Sequence, residues 1–354
     1  MADWRRRASS LTLDVAFFEL VTSKYAKTAE LVYVWDIDKT YLDTQFESLR
    51  GILRTALEKA FQKKNVPGTK ALVRALTSSR DLEKEQDPFP IYFVSASPPQ
   101  MEKKIRNKLE MDGVKPYGLF FKDNLRNLRP GMLSRLKQHV GYKVQALMEL
   151  RSHLGDDTRM ILWGDDSESD AVVYSLFSDL CSHRVSDSAA SKVLEFFNAQ
   201  QRQIDLILSL RSRVAARDPV ERIYINLATD TDPEYYDKFG RKIIATYNTF
   251  QTAFDLFQSK RLTLTQLIRV GQDMVMNYGF TPDELAMGLE DLLRRKFLLS
   301  DAVEESLQEL KSLNLLPPFY EPNPMALQAS SQFYQDFVKN PSPPAEIDYI
   351  HDFR

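Results

Sequence analysis

Four polar clusters in this chain stand where apolar runs end or helical patterns begin, and their residue types suit phosphoryl chemistry. The first is Asp36-Ile37-Asp38-Lys39-Thr40, directly after the β-prone run Leu31-Val-Tyr-Val-Trp. Two carboxylates one residue apart at a strand end can diverge, one towards a phosphoryl group as nucleophile and one beside it as general acid/base. The second is Ser95 with Ser97, whose hydroxyls and backbone donors can hold phosphate oxygens; Thr40 of the first cluster is a further substrate-binding candidate. Lys143 is a cation able to neutralise nucleophile and phosphoryl group together. Asp165, with Asp166 and Asp170, offers hard oxygen ligands suited to Mg²⁺. Each piece alone is ordinary, since Asp and Ser are common turn and cap residues. Their ordered set carries the reading.

These clusters need elements to position them. Short apolar runs predict strands over Leu31–Asp36, Pro90–Ser95, Tyr117–Phe121, Arg159–Gly164 and Arg222–Leu227. Helical spacing lies between them: Phe46 to Lys64, Thr69 to Leu76, Pro98 to about Glu110, a stretch ending at Leu150, and Ala171 to Leu180. Alternating strands and helices imply an α/β fold with a doubly wound parallel sheet of five strands, with sites at the strands' carboxyl ends. A single amphipathic helix, capped at Ser186, is expected to run from Ser188 to about Ala216, with core packing as its use and a lid as the alternative. After about residue 240 the pattern turns purely helical, with helices starting near Tyr247, Thr263, Thr281 and Ser300. Thr281 with Glu284 has the form of a capping box, and Asp301 with Glu304 resembles one. From Leu316 onwards, prolines among aromatics suggest an extended tail.

The 354 residues are 43% hydrophobic, enough for a sizeable core. Lys and Arg total 47 against 49 Asp and Glu, so the global positive field of a nucleic-acid binder is missing. No stretch approaches the length of a membrane span, and the basic N-terminus is broken by Asp14 and Glu19 before it could serve as a secretory signal. The expectation is a soluble, cytoplasmic protein with peripheral membrane contact as an option. Cys181 follows Leu176, Phe177 and Leu180 and reads as a small buried hydrophobe.

The order DxDxT, strand-end Ser, Lys, then GDxxxxD resembles the haloacid dehalogenase (HAD) phosphatases over roughly residues 31–170. Within that superfamily four strings resemble the catalytic domain of the actin-patch-associated phosphatidate phosphatases: Trp35 to Thr40, Val66-Pro-Gly68, Tyr92 to Pro98, and Gly164 to Asp170. The resemblance implies a HAD-like Rossmannoid sheet, with Asp36 as nucleophile, Asp38 as general acid/base and Ser95 as phosphate binder. It implies that Lys143 stabilises the phosphorylated state, that Asp36, the Asp38 carbonyl and Asp165 hold Mg²⁺, and that Asp170 orients Lys143 or the metal's waters. This chain departs from the family pattern at Lys39, where a third Asp is usual, at Tyr142, where His is usual, and at Asp166, where the family has Ser. The implied organisation is a HAD-like phosphatase domain over 1–258 with a helical insertion at about 186–216, a helical appendage over 259–316 and a tail over 317–354. The implied function is Mg²⁺-dependent phosphohydrolysis through an aspartyl-phosphate, with phosphatidate at a membrane surface as the lipid candidate. A HAD phosphatase on a small soluble or protein phosphoester, or a non-catalytic scaffold, is the alternative.

Overall fold

The computed structural model describes residues 3–22, 24–43, 64–78, 89–123, 137–167, 169–228, 231–240, 242–339 and 346–351. The helix expected over Phe46 to Lys64 lies almost wholly outside them. The strands are β1 (Ser10–Thr12), β2 (Val15–Glu19), β3 (Leu31–Asp36), β4 (Ile91–Ser95), β5 (Gly118–Lys122), β6 (Arg159–Asp165), β7 (Val220–Asn226) and β8 (Ile243–Thr246). They form one sheet in the order β1-β2-β5-β4-β3-β6-β7-β8. From β5 to β8 every neighbouring pair is parallel, while β1 and β2 join antiparallel at the edge. The five expected parallel strands are therefore present, and β8 adds a sixth. The edge hairpin and β8 escaped the sequence reading because both are short. Ile243 to Thr246 sits inside a stretch whose neighbours are all helical in pattern, so its apolar residues merged with theirs.

The described α-helices longer than six residues are α1 (Thr69–Leu76), α2 (Glu102–Met111), α3 (Lys137–Ser152), α4 (Asp170–Cys181), α5 (Asp187–Phe196) and α6 (Gln201–Arg211). After the sheet come α7 (Thr249–Gln258), α8 (Leu264–Tyr278), α9 (Pro282–Arg294), α10 (Ser300–Ser312) and α11 (Pro324–Lys339). The single long helix expected over 188–216 is two helices, broken at Asn198, whose φ of 59° no α-helix admits. Their Val193, Leu194, Phe197, Ile204 and Ile207 are buried, as core packing requires. The expected extended tail instead contains α11. A proline at its first position is compatible with helix, and Leu327, Ser330 and Tyr334 form its buried side. Asp301 does not cap α10, which begins one residue earlier at Ser300. Thr263 and Thr281 do cap, each completing a reciprocal box with the residue three positions on.

Buried strands explain the near-continuous apolar runs. Along β3, Leu31, Tyr33 and Trp35 face one core and Val32 and Val34 the other. The C-terminal helices α7 to α10 cover the Trp35 face, and α3 to α6 cover the Val34 face. The result is a three-layer sandwich. Cys181 is buried with its Sγ 3.8 Å from Met148 Sδ, and burial pushes its thiol up to about 12, as a packing role demands.

A buried polar knot fastens the last helix to the sheet. Tyr224 on β7 and Tyr334 on α11 both donate to Asp255 of α7, at 2.7 and 3.1 Å, and Arg222 Nε lies 3.3 Å from the same carboxylate. Arg222 also donates to the Tyr334 hydroxyl at 2.6 Å. Removing Asp255 strands a buried guanidinium, so Asp255→Ala should cost about 3–5 kcal/mol of unfolding free energy in a denaturant titration. A loss under ~1 kcal/mol would show the knot to be incidental.

Glu149 on α3 is buried beside Gln145, whose Nε2 donates to it at 2.7 Å. Burial, partly offset by that bond, pushes its carboxyl up to about 7 from an ordinary 4.5. A raised acid favours the folded state fully below about 4.5, and this contribution disappears as pH rises through about 7. Relative to wild type, Glu149→Gln should therefore gain about 3 kcal/mol of stability between pH 4.5 and pH 8, read from urea midpoints. Parallel pH profiles for the two proteins would refute this.

Candidate active site

The sheet changes direction at β3. Successive strands β3, β4 and β5 run one way across it and β6, β7 and β8 the other, so the crevice between the carboxyl ends of β3 and β6 is a topological switch point. Asp36 ends β3 and Asp165 ends β6. One residue before Asp36 and two before Asp165, the paired Trp35 and Trp163 stack with centroids 4.5 Å apart and planes 9° from parallel. Large rings locked face to face hold the two strand ends in register.

Asp170 reaches this crevice from the first turn of α4. It can do so because residue 164 is glycine: a Cβ there would lie 2.5 Å from Asp170 Cβ. Asp170 also accepts the Asp165 backbone N–H at 3.2 Å. Carboxylate oxygens of Asp36, Asp165 and Asp170 all lie within 4.8 Å of one another, and the three residues are 0–1% exposed. Lys143, from the middle of α3, is equally buried and bridges the trio, 2.8 Å from Asp36 and in contact with Asp170. One ammonium against three carboxylates leaves negative charge in a buried place. The donor set is all hard oxygen, so it can hold a divalent cation of the magnesium or calcium kind.

Around the trio the other expected residues gather. Thr40 Oγ1 donates to Asp165 at 3.4 Å. The Ser95 and Ser97 hydroxyls each donate to Asp38 Oδ2 at 3.3 Å, and the Ser97 N–H donates to Ser95 Oγ at 3.1 Å. Asp38 thus stands with the two serines, and its carboxylate is apart from the close trio. Asp166 faces outward: its carboxylate accepts the Ala228 N–H at 2.7 Å and its own N–H donates to the Asn226 carbonyl at 3.1 Å. It ties the loop after β7 to the end of β6, and that charge is taken up by backbone.

Some supporting residues were given no site role from sequence, Tyr142 having been noted only as a departure from the family pattern. Tyr142 is buried and donates to the Ser95 carbonyl at 2.8 Å. Burial pushes its hydroxyl well above the ordinary tyrosine range, so it remains a donor. Tyr174 donates likewise to the Trp163 carbonyl at 2.8 Å. Ser167 caps Asp165 through its N–H at 2.7 Å and its hydroxyl. Asn226 Nδ2 donates at 3.1 Å to the carbonyl of Lys39, whose φ of 57° turns the chain sharply after Asp38. Tyr142 and Ser167 adjoin expected residues in sequence, a usable signal. Asn226 had none.

Residues 31–189 match the family model described as phosphatidate phosphatase APP1, catalytic domain. Over that stretch, a little under half of the chain, the sequence is similar to this family. Neither the curated proteins nor the solved structures provide a match. The matched stretch begins with β3 and takes in Asp36, Asp38, Ser95, Lys143, Asp165 and Asp170. The elements after it, β7 and β8 with α7 to α11, complete the sheet and cover its Trp35 face.

Gly164→Ala tests how tightly the trio is built. The added methyl must displace Asp170, and with it the Lys143 contact, so divalent-cation affinity should fall tenfold or more by calorimetry while the circular dichroism spectrum is kept. Unchanged affinity would mean that Asp170 is not needed to hold the ion.

Proposed function

We propose that this protein is a Mg²⁺-dependent phosphomonoesterase of the HAD type that acts on phosphatidate through an aspartyl-phosphate on Asp36. The observation that carries the reading is the buried contact of Lys143 with both Asp36 and Asp170, inside a carboxylate trio at the sheet's switch point. A scaffold has no use for so costly an arrangement. The lipid substrate is the one named for the family that residues 31–189 match.

In this reading Asp36 attacks the phosphorus and the P–O bond to the leaving alcohol breaks. Asp38 gives its proton to the departing oxygen. Water, deprotonated by Asp38, then attacks the acyl phosphate, releasing inorganic phosphate and restoring Asp36. Ser95, Ser97 and Thr40 bind phosphoryl oxygens. In the structure the two serines donate to Asp38, so the hydroxyls exchange a carboxylate acceptor for a phosphoryl one when substrate arrives. Lys143 offsets charge on Asp36 and on the phosphorylated state. Asp36, Asp165 and the Asp38 carbonyl would hold Mg²⁺, with Asp170 beside them to orient Lys143. The ion supplies charge neutralisation where two anions must meet.

The test is phosphate release from p-nitrophenyl phosphate and from phosphatidate in mixed micelles. Asp36→Asn should lose at least about a thousandfold in kcat, since without the nucleophile only positioning and electrostatics remain. Chelator should abolish turnover and Mg²⁺ restore it. Full activity in Asp36→Asn would sink the aspartyl-phosphate step, and turnover confined to the aryl phosphate would sink the lipid assignment.

A further inference from the structure

A groove of about 470 Å³ opens past the carboxyl ends of β3 and β7, a volume within the range of small-molecule sites. Its walls come from separate parts of the chain. Lys39 follows Asp38 directly, and Asn226 holds the Lys39 carbonyl, so this wall is continuous with the site. Val66 and Pro67 lead into α1, and Leu227 follows β7. Tyr247 and Asn248 precede α7, and Phe280 comes from the turn between α8 and α9. The Thr249 hydroxyl donates to the Pro67 carbonyl at 2.6 Å, and Gly68, at a φ of 80°, packs against Met274 and Thr249. These contacts fix the relative places of the two walls.

Two features of the lining select an occupant. Lys39 and Asp43 both line it, so the groove carries no net charge and does not favour a second anionic group. The remaining lining mixes amide and hydroxyl groups of Asn226, Asn248 and Thr249 with the apolar surfaces of Val66, Leu227 and Phe280. A neutral leaving group with hydrogen-bonding ester oxygens and hydrocarbon chains fits both. Half-buried Phe280 and half-exposed Tyr247 leave apolar surface accessible to such chains.

We infer that this groove receives the diacylglycerol portion of the substrate. Lys39 stands on the lip nearest the phosphate, and Phe280 and Tyr247 lie against the acyl chains. The inference rests on the phosphatase reading above and adds to it the place where chain length is sensed. It also assigns a substrate-contacting role to elements outside residues 31–189.

The experiment measures kcat/KM on the full chain for dibutyryl, dihexanoyl and dioctanoyl phosphatidate, each presented as monomers, with p-nitrophenyl phosphate in parallel. In the unmodified protein kcat/KM should rise at least tenfold from the dibutyryl to the dioctanoyl substrate. Phe280→Asp should lower kcat/KM for dioctanoyl phosphatidate at least tenfold more than for p-nitrophenyl phosphate. Tyr247→Asp, at a position 51% exposed and hence tolerant of change, should do the same to a smaller degree. A flat chain-length series overturns the groove assignment without any variant, and so do equal losses on both substrates. Turnover of p-nitrophenyl phosphate with none of any phosphatidate overturns the groove and the lipid substrate but leaves the phosphomonoesterase chemistry standing. Silence on every substrate from a folded protein overturns that chemistry as well.

Discussion

Three buried carboxylates crowded around one lysine set the terms for the rest of this molecule. Asp36, Asp165 and Asp170 hold oxygens within 4.8 Å of one another. At an effective dielectric near 20, each such pair repels by about 3 kcal/mol, and the cost of removing the charges from water comes on top. Lys143 offsets part of it. The arrangement holds only if the surrounding structure leaves the carboxylates no way to separate. Much of the local architecture serves that end: the stacked indoles of Trp35 and Trp163, the missing side chain at Gly164, and the Asp165 N–H that holds Asp170. A small divalent cation held between these oxygens would relieve that repulsion.

The crowding also explains why so much chain beyond residues 31–189 is needed. The indole stack that aligns β3 and β6 belongs to the core roofed by α7 to α10. Tyr224 on β7 packs against Trp163, with ring centroids 5.2 Å apart, and its hydroxyl enters the Asp255 knot shared with α11. The C-terminal helices therefore act on the site through packing. Through Tyr247 and Phe280 they also furnish walls of the groove beside it. Support for the carboxylate trio and the walls of the groove come from one set of elements.

The three positions at which the chain departs from the resembled pattern have different physical outcomes. Tyr142 is an anchor that ties α3, and so Lys143, to the end of β4. Asp166 spends its carboxylate on a backbone N–H and fixes the loop after β7. Lys39 lines the groove, and of the three it is the one whose charge reaches that surface.

What the sequence by itself determined is the set of polar groups that meet at the sheet's switch point and the strands that carry them. Runs such as Leu31 to Asp36 are readable because a strand buried on both faces must be apolar throughout and must stop where polar groups begin. That same boundary marks the site, so Asp36, Ser95 and Asp165 were legible together. The capping boxes at Thr263 and Thr281 were legible in form because a helix start is settled within four residues. Only the tertiary structure decided what depends on contacts between distant segments. Tyr142, Asn226 and Asp255 matter through partners 47, 187 and 79 positions away, and no local pattern encodes such a pairing. The break at Asn198, strand β8 and helix α11 belong to the same class, because short or proline-bordered segments take their conformation from the surface they pack on. The groove was beyond reach for that reason too: its walls come from residues 39–67 and 226–280, and its shape exists only once they are folded together.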